Sequence, residues 1–264
     1  MKKIKISLLL IAVVSFVAFP SCKKKGCTDP NSLAFNEEAK KDDGSCTEPT
    51  AIKKALVFKM TATWCPYCGD WGATYASNIS SDYSDCQVIE LHGDNEFGST
   101  IVDDIEATLA PNGRPHFYLG TTDIDNNYSL LSNAVSNELA AAVEVSMAME
   151  ASTNGSAMNI RVQSKWVGSM SGEYKLAVYI LEDGQVAEQQ ISGSPSDPNF
   201  VHNYVLRSEA SNLPFGKDIV INGDGNLEEF DVTLGSGLVP ANCYPVAVIW
   251  KKNGANHDFI NFVK

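Results

Sequence analysis

The sequence predicts an α/β domain over residues 51–142, an all-β sandwich-like domain over 143–264, and a small Cys-stapled module ahead of both. Three observations carry this expectation. Apolar runs between Ala55 and Leu119 read strand–helix–strand–helix–strand. From Val143 the hydrophobic period drops to two. Residues 26–46, flanked by two Cys, are too few to bury a core without a staple. The length of 264 residues, with 44% hydrophobic and 20% charged residues, is that of an ordinary globular chain of one to two domains. It excludes wholesale disorder and collagen-like structure.

In chain order, Lys2, Lys3 and Lys5 precede a 14-residue apolar stretch, Ile6 to Phe19, broken only by Ser7 and Ser15. A bilayer span needs about 20 residues, so the stretch reads as a signal-peptide h-region. It ends in Phe19-Pro20-Ser21-Cys22, which resembles a bacterial lipobox in its loose Bacteroidetes form, with Phe19 where Leu or Val is usual. The resemblance implies a lipoprotein signal peptide over 1–21 and lipidation of Cys22. The alternative is an ordinary cleaved signal. Lys23 after the Cys implies outer-membrane sorting by the same resemblance; the leaflet is not readable. No later run of about 18 apolar residues exists, so no transmembrane helix is expected. Residues 55–264 hold 10 basic and 26 acidic residues, a net of −16, which repels phosphate backbones and excludes nucleic acid as a partner.

Residues 22–50 form the lipid-anchored module and its linker. Thr28-Asp29-Pro30-Asn31 and Asp42-Asp43-Gly44-Ser45 are turn chemistry at its two ends. Of seven Cys, six remain once Cys22 is set aside, and local context favours Cys27–Cys46 and Cys65–Cys68 among fifteen formal pairings. Cys86 and Cys243 then either pair with each other or stay as buried free thiols. The Asp and Asn side chains of the module are oxygen donors, but their spacing does not match a calcium loop.

The chemistry-bearing motif is Trp64-Cys65-Pro66-Tyr67-Cys68. It follows the apolar strand Ala55–Met60 and precedes a helix expected from about Cys68 to Asn78. A helix N-terminus presents unpaired N–H groups that favour a thiolate, the nucleophile of disulfide exchange. Cys65 is expected to be the exposed attacker and Cys68 the resolver. Zinc takes four ligands, and no second CxxC or paired His accompanies this one, so no metal is expected. A static structural disulfide is the rival reading. The next expected elements are a strand at Cys86–His92, a helix at Thr100–Leu109, and Gly113-Arg114-Pro115 opening a strand at His116–Leu119.

This order resembles the thioredoxin fold, making the expected class an α/β thioredoxin-like domain before the β-rich one. By position the resemblance implies that Pro115 is a cis-proline beside the CxxC. It also makes Arg114 substrate-facing, with Trp64 and Tyr67 flanking the substrate site. Thioredoxins carry a buried Asp six residues before the first Cys; here that residue is Lys59.

Beyond a helical stretch from Tyr128 to Ala142, Val143, Val145, Met147 and Met149 alternate with Glu144, Ser146, Ala148 and Glu150. Further strand-like runs lie at Tyr174–Leu181, Ile219–Ile221, Phe230–Leu234, Val246–Trp250 and Phe259–Val263, with Ser192–Asn203 expected as the longest loop. Trp166, Trp250 and the Met residues read as core. His202-Asn203-Tyr204-Val205-Leu206-Arg207 is similar to a stretch in the Bacteroidetes 28-kDa outer membrane protein family. The resemblance covers about residues 50–264 and rests on the order of lipobox, Trp-Cys-x-x-Cys, His92-Gly93-Asp94 and that stretch.

The function expected from all this is a membrane-anchored, extracytoplasmic thiol–disulfide oxidoreductase acting on secreted or envelope proteins through Cys65 and Cys68. It requires no cofactor, and its partners are protein thiols or disulfides. The alternative is a non-catalytic outer-membrane binding or structural lipoprotein.

Overall fold

The computed structural model describes residues 23–93, 96–168, 171–220 and 225–264. The expected signal peptide, the lipidation residue Cys22, and Asp94 lie outside them. β1 (Ala55–Thr61) leads through a wide turn at Cys68–Gly72 into α1 (Ala73–Asp82). β2 (Cys86–His92), α2 (Thr100–Leu109), β3 (His116–Leu119), β4 (Thr122–Asp125) and α3 (Tyr128–Leu139) follow. Then come β5 (Val145–Asn154), β6 (Ala157–Trp166), β7 (Tyr174–Glu182), β8 (Gln185–Gln189) and β9 (Asp197–His202). The chain closes with β10 (Val205–Glu209), β11 (Lys217–Ile219), β12 (Asn226–Thr233), β13 (Cys243–Asn253) and β14 (Asn256–Val263).

Among the described residues nine strands form one sheet in the order β14-β13-β7-β10-β2-β1-β3-β4, with β11 paired to β7. β1 and β2 are parallel, as a helical crossover requires. β10 joins strands from both sides of residue 142. Val205 pairs Glu90 of β2, and Leu206 to Glu209 run against β7.

β1 is buried along its whole length, so alternate residues feed two cores. Leu56, Phe58 and Met60 point to one face, where they meet Ile101, Val102 and Ile105 of α2 and Tyr179, Val248 and Trp250. Ala55 and Val57 point to the other, under Ile79 of α1 and Leu131 and Val135 of α3. On that second face the helices cover only the β1–β3 end. Over β7 and β13 the cover is a three-stranded sheet, β12-β6-β5. Val145, Ile160 and Val162 there pack on Val178, Ile180 and Ile249. The C-terminal half is β-rich, as expected, and its larger sheet continues through β10 into the helix-bearing part.

One expectation is refined and one is corrected. The helix expected from about Cys68 is present but irregular: Pro66 and Tyr67 are helical, Cys68–Gly72 is a π-helical turn kinked at Asp70 (φ −98°, ψ −108°), and regular α-helix runs from Ala73. Close approach is why glycines stand in this turn. A Cβ at Gly72 would lie 2.8 Å from Pro115 Cγ, and one at Gly69 would lie 2.4 Å from Gln190 O. The loop expected at Ser192–Asn203 contains β9, which hairpins with β8.

In the N-terminal module, Asp29, Asn36, Asp42 and Asp43 accept hydrogen bonds from main-chain N–H groups two residues on. The turn chemistry thus accounts for these side chains. The module docks on β6: Gln163 accepts from Leu33 N–H and donates to Thr47 O, and Arg161 donates to Leu33 O. None of the helices among the described residues is long and apolar enough to cross a membrane.

Candidate functional site

The disulfides are Cys27–Cys46 and Cys65–Cys68; Cys86 and Cys243 are buried free thiols. Burial pushes the Cys86 thiol up to about 12 and the Cys243 thiol up to about 11, so neither is a nucleophile at neutral pH.

Cys65–Cys68 lies in the turn between β1 and α1. The Cys68 N–H donates to Cys65 Sγ at 3.2 Å, so a thiolate on Cys65 would have a main-chain donor in place. The Arg114–Pro115 peptide is cis, and the Pro115 ring packs on Gly72 of the same turn. Trp64 and Tyr67 are 46% and 55% exposed, and they stand on either side of Cys65-Pro66 as apolar surface.

Two site residues are not disposed as expected. Cys65 is only 3% exposed and Cys68 1%, where an exposed attacker was expected. The cover comes from the β8–β9 hairpin. Gln189 Nε2 donates to Ala62 O and Cys65 O, Gln190 N–H to Thr63 O, and Ser192 N–H to Pro66 O. Arg114 turns its guanidinium inward, to Thr61 O at 3.2 Å and to the Glu106 carboxylate. What residue 114 offers beside the turn is its main chain.

Below the turn, on the α1 side of β1 and β2, is a buried polar cluster. Lys59 and Glu90 are register partners, and Lys59 Nζ donates to Glu90 Oε1 at 2.7 Å. Glu90 Oε2 is 3.2 Å from His92 Nε2, two residues along the same strand face. The His202 ring comes in from the end of β9, 5.2 Å from that of His92. Burial raises the Glu90 carboxyl, but Lys59 and His92 outweigh it and hold Glu90 down to about 2. Burial also lowers His92, and it lowers His202 to about 4 with help from His92. A cavity of about 440 Å³ opens on this cluster, lined by Lys59, Glu90 and His202 and by Ser77 and Ser80 of α1.

Sequence reasoning found the CxxC, Pro115 and the polar strand end at His92. It missed the roles of Glu90, Gln189 and Gln190. It met His202 only within a stretch singled out by resemblance. His116, the residue after Pro115, pairs with Asp123 at 2.7 Å.

A family model described as outer membrane protein Omp28 matches residues 111–264. Among solved structures, HBP35 of Porphyromonas gingivalis superposes with a TM-score of 0.70 at 15% identity, over 82% of this chain and 76% of that one. At that identity the likeness is one of fold. A domain of the outer membrane lipoprotein Omp28 from Porphyromonas gingivalis is 19% identical over 46% of this chain and 88% of that one, with a TM-score of 0.33. A search of curated proteins returns no match.

Proposed function

The chain belongs to the Omp28 family of outer membrane proteins, and from that premise we propose that it is a thiol–disulfide exchange protein of the cell envelope. Its location is the outer membrane; the lipid anchor on Cys22 is part of the proposal. So are the division at 142/143, the reading of the β1–α1–β2–α2–β3 segment as thioredoxin-like, and a substrate site formed by Trp64, Tyr67, Pro115 and the main chain of Arg114.

The observation that carries the reading is the Cys65–Cys68 disulfide at the entry to the first helix, with the Cys68 N–H aimed at Cys65 Sγ. In the oxidised protein a substrate thiolate attacks Cys65 Sγ, the Cys65–Cys68 bond breaks, and Cys68 leaves as a thiolate. A second substrate thiolate then attacks the mixed disulfide and releases Cys65. Two electrons pass from the substrate dithiol to the CxxC and leave a disulfide in the substrate; run in reverse, the same steps reduce a substrate disulfide. The substrates are protein thiols or disulfides of the envelope.

A second reading has its own observation. Cys65 and Cys68 are buried, and Gln189, Gln190 and Ser192 are bonded across the turn that holds them. This favours a structural disulfide in a non-catalytic binding protein. One titration separates the two. The reduction potential of Cys65–Cys68 is expected between about −120 and −230 mV, the range of oxidants, isomerases and glutaredoxins; a value near about −270 mV marks a thioredoxin-like reductant, and one below about −300 mV supports the structural reading. Cys65→Ser is expected to abolish exchange with a model protein disulfide; retained exchange would overturn the assignment.

A further inference from the structure

We propose that Glu90, His92 and His202 bind one divalent transition-metal ion of the zinc class. Each offers one ligand atom, the three atoms lie within 4.8 Å of one another, and all three residues are buried. Zinc bonds of about 2.0–2.1 Å place tetrahedral ligand atoms roughly 3.3 Å apart. Glu90 Oε2 and His92 Nε2 already stand at 3.2 Å. His202 Nε2 is buried with no hydrogen-bond partner, a state that is costly unless something fills it.

The surroundings have the features of a second shell. The Ala187 main chain bonds the His202 ring, which leaves Nε2 as the nitrogen with a lone pair to give. Lys59 holds Glu90 Oε1, which turns Oε2 toward His92. Phe97 and Phe200 pack on His202 at 5.1 and 4.8 Å between ring centres and give the ring an apolar flank. Two cations oppose a metal here. Lys59 would share Glu90 with it through the other carboxylate oxygen, and Arg207 has a separate carboxylate, Glu182, at 3.5 Å.

Two imidazoles and one carboxylate form the ligand set of catalytic zinc sites, which keep a fourth position open. Here the open side is the cavity that Glu90 and His202 line. A second buried and unpartnered atom, Ser80 Oγ, belongs to a residue of the same wall.

The test uses the mature chain with Cys65–Cys68 kept oxidised, so that its thiols cannot ligate. After treatment with chelator it is titrated with Zn²⁺ by calorimetry and with Co²⁺ by visible absorption. The expected result is one ion per chain, visible d–d bands with Co²⁺, and a melting temperature raised by Zn²⁺. His202→Asn is expected to weaken binding by about 100-fold or more and to abolish the Zn²⁺-induced rise. His257→Asn, remote from the cluster, is expected to bind like the native chain. Absence of one-to-one binding by the native chain overturns the proposal, whatever the variants do. So does unchanged affinity in a folded His202→Asn or, if that variant does not fold, in His92→Gln.

Discussion

The two ends of the large sheet bury carboxylates in opposite ways. At the sheet-covered end, Glu209 accepts from the N–H groups of Val178, Ser211 and Leu213 and from the Ser211 hydroxyl. Its charge is consumed by the main chain around it. At the helix-covered end, Glu90 is held by two side chains, Lys59 and His92, beside a cavity and an unpartnered His202 nitrogen. The contrast shows how a buried charge reveals its use. One that ties down backbone is architecture, whereas one surrounded by titratable groups and space is equipment for a ligand or a proton.

Substitution can break this contrast. Glu209→Ala orphans several buried donors at once and is expected to cost about 4 kcal/mol in urea unfolding. A loss under about 1 kcal/mol would show that Glu209 is not the architectural partner described. Lys59→Ala is expected to cost about 3 kcal/mol, because Glu90 is left as an uncompensated buried charge. The double change Lys59→Met, Glu90→Leu should recover most of that loss, since replacing both members of a buried pair by apolar groups is often neutral. Failure of the double variant to recover would mean that the helix-covered end also depends on its charges for stability.

The two disulfides sharpen the same division. Cys27–Cys46 closes a loop with a sequence separation of 19 and Cys65–Cys68 one of 3. Chain entropy assigns the first about 3 kcal/mol and the second about 2. Cys27→Ser with Cys46→Ser should therefore lower the urea midpoint more than Cys65→Ser with Cys68→Ser, while only the latter pair should abolish exchange. The smallest effect is expected at α2, where the Ser99 hydroxyl accepts from Val102 N–H. Ser99→Ala should cost about 1 kcal/mol by thermal melting and leave metal binding and exchange untouched.

The helix-covered end was readable in the sequence because its cues are local. The β1 run, the CxxC, the β2 run and Pro115 each declare themselves within about ten residues. The strands β8 and β9 do not. Gln185–Gln189 has two polar ends and a single Val, and Asp197–His202 includes Pro198. Both are strands because they pair with each other and lie over the CxxC turn, which no local pattern reveals. The metal-ligating cluster was hidden for the same reason. Glu90 and His92 share a strand, but His202 reaches them from 110 residues further along the chain, by way of the β10 pairing at Val205. Burial of Cys65 was hidden too, since Gln189 to Ser192 supply it from beyond residue 142.

The shared sheet also bears on any attempt to dissect the molecule. A fragment ending at residue 142 keeps Leu56, Phe58, Met60, Ile89 and Leu91 and loses Tyr179, Leu181, Leu206, Val248 and Trp250 from the same core. It would expose a broad greasy face and strip the cover from its own disulfide. The complementary fragment would lose the strand beside β10. Neither is a ready-made module for a fusion protein or a crystallisation trial, and a recombination event at this point in the gene would have to rebuild a core on each side of the cut.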